Sequence, residues 1–149
     1  MRPRPPENLL RPKIVSPHLI LLPKFSLDST GKYAVSRCPV IYPRSESSEQ
    51  EVLRYFTAVL NSSVALWQIR GMSHRYSHGY LMLEPKTLRS IAVPDPAKVE
   101  VGVMKKIQAL VQRRTESPEN TQFEAQLDDL VLGLYGLTAG DRDVLAAEV

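Results

Sequence analysis

From Lys13 onward, short apolar runs are separated by Pro, Gly, Asp and Ser: Lys13-Ile-Val-Ser, His18-Leu-Ile-Leu-Leu, Tyr33-Ala-Val-Ser and Val40-Ile-Tyr. Runs of that length with such boundaries predict short β-strands. Between the second and third lies Leu27–Lys32, LDSTGK, a turn signal in which Gly31 is available for positive φ. After the polar stretch Ser45–Gln50 the period changes. Val52, Tyr55, Phe56, Val59, Leu60, Ser63, Val64 and Trp67 recur at three- and four-residue steps, which predicts one continuous helix ended by Gly71. Tyr80-Leu-Met-Leu and Arg89-Ser-Ile-Ala-Val then read as strands, or as a strand and a short connector.

Val93–Lys98, VPDPAK, interrupts the pattern, with Asp95 as an N-cap and Pro96 at a first helical position. Val99, Val103, Met104, Ile107, Leu110 and Val111 predict an amphipathic helix ending at Arg113-Arg114, where positive charge suits the helix dipole. Another starts at Ser117-Pro118, with Phe123, Leu127, Leu130, Val131 and Leu134 as its stripe and Gly136 as its stop. Thr138 and Asp141 have capping-box spacing for a short last helix. The expected fold class is therefore mixed α/β (α+β): a small sheet with packed helices, followed by an α-helical tail. Residues 1–12 read as a flexible Pro/Arg-rich arm, 13–94 as the main domain and 95–149 as a helical spacer and tail.

Charge sharpens this division. Residues 1–45 carry eight basic side chains against two acidic ones, a net of +6, whereas residues 80–149 carry eight against eleven, a net of −3. A basic part of this kind favours an anionic partner, nucleic acid being the commonest. No uninterrupted apolar run approaches the 18 residues of a membrane span, and no apolar segment follows the basic N-terminus as in a secretory signal. The single cysteine, Cys38, excludes an internal disulfide and fits a reducing, cytoplasmic setting.

Catalytic signatures are lacking. His74 and His78 are four apart, but a zinc site would need further ligands, and only His18 and Cys38 remain. There is no Gly-x-Ser-x-Gly elbow and no phosphate-cradling glycine pattern, and Asp128-Asp129 reads as a solvated helix face. The candidate chemistry lies in the segment after the long helix: Arg70, Ser73, His74, Arg75, Tyr76 and His78. Arginine reaches phosphates or a guanine edge, serine and histidine add shorter hydrogen bonds, and tyrosine stacks on unpaired bases. The same composition also suits an ordinary polar turn with its tyrosines folded back on the core.

Several of these stretches occur together in a known order. Lys13-Ile14 and the aromatic-x-x-Asp-x-x-Gly turn Phe25–Gly31 come first, then Leu60-Asn-Ser on a helix. Ile91-Ala-Val-Pro and the tail Leu127–Leu145, which contains Leu134-Tyr-Gly-Leu-Thr, follow. This order resembles the target-recognition domain of bacterial N6-adenine DNA methyltransferases. More narrowly, it is similar to the TaqI-like C-terminal specificity domain of fused restriction-modification enzymes. The catalytic half of that family, with its (Asn/Asp)-Pro-Pro-(Tyr/Phe) and cofactor-binding motifs, is not in this chain. The resemblance thus implies a non-catalytic specificity module: a separate subunit, a remnant of a truncated gene, or an excised fragment. Double-stranded DNA and an adenine methyltransferase domain or subunit are the implied partners. S-adenosylmethionine would be bound by that catalytic domain, with no cofactor here. Lys13, Lys24, Lys32 and Arg37 would contact phosphates, and Arg70–His78 would read bases. An alternative expectation is a scaffold that docks a methyltransferase subunit through its helices and touches DNA negligibly; a third is a decayed product with no activity.

Overall fold

The computed structural model describes residues 10–44 and 49–149, so most of the N-terminal arm lies outside the described residues. Among the described residues, five short strands pair antiparallel in two sheets. In the first, β1 (Lys13–Val15) lies between β3 (Ser26–Asp28) and β4 (Val40–Ile41), with Ile14 opposite Leu27 on one side and Ile41 on the other. In the second, β2 (Leu19–Ile20) pairs with β5 (Leu81–Met82). Six α-helices follow or intervene among the described residues: α1 (Glu49–Leu60), α2 (Ser63–Met72), α3 (Pro85–Ser90), α4 (Val101–Glu116), α5 (Gln122–Leu134) and α6 (Ala139–Glu148). The mixed α/β class with a helical C-terminal part is as expected.

Several sequence expectations change, among them the start of α5, which begins at Gln122 after Thr121 and not at Ser117-Pro118. Tyr33–Ser36 is not a strand: Tyr33 and Ala34 are exposed, so alternation there buries nothing, and β3 forms earlier, inside the stretch read as a turn. Arg89–Val93 is not a strand either; Pro85 fits the first turn of α3, which takes Arg89 and Ser90, and Ile91–Val93 is the short connector of the other reading. The long helix is two helices, broken at Asn61-Ser62, and the second runs through Gly71 to Met72. Asp95 still caps, but only a 3-10 turn over Pro96–Lys98; α4 has its own cap in Glu100, whose carboxylate accepts the Gly102 and Val103 amides. The Thr138–Asp141 capping box forms as the spacing predicts.

Two cores share helix α1. One gathers Ile14, Ile20, Phe25, Leu53, Leu66, Ile69 and Leu83 between the sheets and the first two helices. The other packs Tyr55, Ala58 and Val59 of α1 against Ile107 and Val111 of α4 and Leu127 and Val131 of α5. The helices beyond Pro94 therefore complete the burial of α1. The connection between the halves is also tied by polar contacts. Tyr55 donates to the Pro94 carbonyl at 2.9 Å and Tyr135 to the Ala92 carbonyl at 2.7 Å, while Gln68 both accepts from and donates to Ala92. Burial raises both phenols, Tyr55 to about 12, so both remain neutral donors.

At the start of the sheet, Lys13 is fully buried and its Nζ lies 2.8 Å from Asp28 Oδ2. Asp28 also accepts the Gly31 and Tyr33 amides and the Thr30 hydroxyl, which closes the Phe25–Gly31 turn. Gly31 has φ +67°, and a Cβ there would sit 2.5 Å from the Arg11 backbone. Burial alone would raise the Asp28 pKa; the hydrogen bond from Lys13 and those from the amides outweigh it and hold the carboxyl at about 2. A depressed carboxyl contributes stability above its unfolded pKa, and that contribution is lost as pH falls from about 4 through the folded value. A shift from 3.8 to about 2 corresponds to about 2 kcal/mol. Urea midpoints are expected to fall between pH 4 and pH 2 more steeply in the natural chain than in Asp28→Asn; equal slopes would refute this role for the carboxylate.

Candidate nucleic-acid interface

The segment after α2 is a folded hairpin. Ser73 caps the helix through its amide to the Ile69 carbonyl, and the chain then pairs back on itself. Arg75 bridges to Leu81, the Tyr76 amide donates to the Tyr80 carbonyl at 2.7 Å, and the Met82 amide donates to the His74 carbonyl at 3.1 Å. The tip, Ser77–Gly79, reverses direction through His78 at φ 62° and Gly79 at φ 81°. Its far strand, β5, is paired on its other edge with β2, and the Leu83 amide donates to the His18 carbonyl. Backbone groups are thus used internally, and the side chains of His74, Arg75, Tyr76, Ser77, His78 and Tyr80 are left exposed. The tyrosines are not folded back on the core: Tyr76 is 56% exposed.

The Leu60-Asn-Ser stretch fixes the opposite end of α2, where the helix begins. Asn61 Oδ1 accepts the Phe25 amide, and its Nδ2 donates to the carbonyls of Phe25 and Thr57. This side chain clamps the chain entering β3 as a neighbouring strand would. Ser62 caps α2 by accepting the Ala65 amide. Ser63 donates its amide and hydroxyl to Asp128 of α5, so Asp128 is a structural partner and not the solvated residue that its setting in the sequence predicts. Val59, Leu60 and Val64 are buried as the periodicity predicts, but Trp67 is 47% exposed.

The candidate residues separate into groups. His74, Arg75, Tyr76 and His78 share the hairpin, with Ser73 at its base half-buried and its hydroxyl without a partner among the described residues. Arg70 is one turn before the hairpin, and its Nη1 donates to the backbone oxygens of Glu148 and Val149. Lys24 is exposed just before β3; Lys32 and Arg37 are exposed on the β3–β4 connection, Arg37 at φ 60°. Lys13 is the correction. Its ammonium is enclosed with Asp28, so the expected phosphate contact is lost to an internal ion pair.

A cavity of about 310 Å³ lies behind the Asn61–Ser63 joint, with Leu22, Leu66 and Val111 as part of its wall. The polar groups lining it are already engaged: Asn61 with Phe25, Asp128 with Ser63, and Arg114 with Glu124. Among the described residues, no three His, Cys, Asp or Glu side chains converge as metal ligands would, and no helix is long and apolar enough to cross a membrane. Leu19 of β2 and Leu21 and Leu22 just after it reach solvent, as do Tyr76 and Tyr80 of the hairpin.

No protein-family model and no curated protein sequence matches this chain.

Proposed function

We propose that this chain is a DNA-sequence-recognition module of a restriction-modification or related defence system. It has no catalysis of its own and directs an adenine-N6 methyltransferase, or a fused endonuclease, to its target. The observation that carries this reading is the hairpin: paired backbone at its base, a capped helix beneath it, and His74, Arg75, Tyr76 and His78 exposed together. A two-stranded ribbon fits the DNA major groove, where arginine reads guanine with two donors and histidine reaches a single acceptor. Exposed Lys24, Lys32 and Arg37 supply positive charge for phosphates. The methyl donor, S-adenosylmethionine, belongs to the catalytic partner, and the chain works in the bacterial cytoplasm at the nucleoid.

Binding to duplex DNA should therefore weaken as salt rises, with a log–log slope of about −0.9 for each phosphate neutralised. Arg75→Ala is expected to cost about 1–3 kcal/mol of affinity and to relax preference at one base pair if Arg75 reads a base; a uniform loss with a slope smaller by about 1 assigns it to a phosphate. Fluorescence anisotropy across a salt series measures both. Exposed Leu19 of β2 and Leu21 and Leu22 after it favour a second reading, a scaffold docked on a methyltransferase subunit. Capture of that subunit by a chain that leaves duplex DNA unbound even at low salt would establish the scaffold and refute the DNA reader.

A further inference from the structure

Trp67 and Arg70 are one turn apart on α2, so their side chains share a face. Both are engaged by the end of α6. Trp67 Nε1 donates to the Glu148 carboxylate at 2.5 Å, and Arg70 Nη1 donates to the backbone oxygens of Glu148 at 2.7 Å and Val149 at 3.1 Å. The same cleft is bordered by Met72 and by Arg75 of the hairpin. The indole N–H of Trp67 and the guanidinium of Arg70 are donors suited to an anion, here met by the Glu148 carboxylate at Trp67 and by backbone oxygens at Arg70, with Arg75 at the cleft's border.

The occupant is weakly held. α6 has ten residues, three acidic side chains against Arg142, and one buried apolar anchor, Leu145. It packs chiefly on α2, and its ion pair to Asp129 is solvent-exposed. A helix this short has little stability by itself, and exposed ion pairs and hydrogen bonds add little and weaken with salt. We infer that the Trp67–Arg70 face is a phosphate subsite next to the reading hairpin, and that the end of α6 is a displaceable cap that competes with DNA phosphate for it. The inference rests on the DNA-recognition reading. In the capped state Arg70 is withheld, so the cap lowers affinity for all sequences and leaves only DNA with good hairpin contacts able to displace it.

Trp67 is the chain's one tryptophan, so its emission reports the cap directly. The experiment uses the full chain, its Leu145→Asp variant, which removes the one buried anchor of α6 and so frees both Trp67 and Arg70, and Glu116→Gln as an acidic-surface control, with a mixed-sequence duplex oligonucleotide as probe. Leu145→Asp is expected to change Trp67 emission and raise its quenching by iodide, and Glu116→Gln to change neither. If the open form is populated at about one molecule in ten, releasing the cap tightens apparent duplex affinity roughly tenfold. That gain should vanish when Arg70→Ala is added. Unchanged Trp67 emission in Leu145→Asp overturns the cap. Changed emission with unchanged duplex affinity overturns the competition alone, since the natural chain still binds. Absence of duplex binding by every protein overturns the recognition reading and the phosphate subsite together.

Discussion

Lys13→Met is expected to destabilise the protein by about 3–5 kcal/mol at neutral pH, a large share of the total for a domain of this size. Methionine keeps the volume of the lysine stem but removes the ammonium 2.8 Å from Asp28, a carboxylate with 4% of its side chain exposed. Breaking a buried pair by deleting one partner leaves the other charge uncompensated, and that cost exceeds what the intact pair contributed. The Gly31 and Tyr33 amides and the Thr30 hydroxyl still face Asp28, so the turn is expected to persist in the folded fraction. The measurement is the urea midpoint of both proteins at pH 7 and again near pH 3. The difference should shrink at the lower pH, where Asp28 of the variant takes up a proton. A loss below about 1 kcal/mol at pH 7 would mean that the amides and hydroxyl alone satisfy the carboxylate.

The second large effect belongs to Asn61. Its amide group makes hydrogen bonds to both backbone groups of Phe25 and to the Thr57 carbonyl, so Asn61→Ala should cost about 3 kcal/mol. Asn61→Asp keeps an acceptor for the Phe25 amide but turns the donor side into an oxygen facing two carbonyls, so it should also destabilise. An aspartate variant as stable as the natural chain would limit the clamp to the Phe25 amide. The joint also orients α2, from which the hairpin projects, so duplex affinity is expected to fall in the folded fraction of Asn61→Ala.

What the sequence reveals of this fold follows from which forces are periodic. Burial of one helix face is, and the buried positions of α1, α4 and α5 appear at their proper spacing. The break at Asn61-Ser62 is invisible to that pattern because Leu60 and Val64 remain in step across it. The break is made by side chains bonding backbone, as Asn and Ser are prone to do. Short strands fare worse. Whether Tyr33–Ser36 or Ser26–Asp28 pairs with β1 depends on partners eleven to fifteen residues away, and local alternation cannot register it.

The site shows the same limit. Exposed Arg75, Tyr76 and His78 stand where a basic, aromatic turn would place them. Lys13 looks like any other lysine of the basic N-terminal part until Asp28 is folded against it. Trp67 and Arg70 carry a weak signal, a cation and an aromatic at i and i+3. Their partner Glu148, nearly eighty residues later, carries none.

The central claim, that the hairpin reads DNA sequence, is tested most directly by selection from a pool of randomised duplexes at moderate salt. The natural chain is compared with the double variant His74→Ala, Arg75→Ala. Enrichment of a common short motif by the natural chain, lost or altered at defined positions in the variant, is the expected result. Retention of the pool without any enriched motif, or the same motif from both proteins, would contradict it.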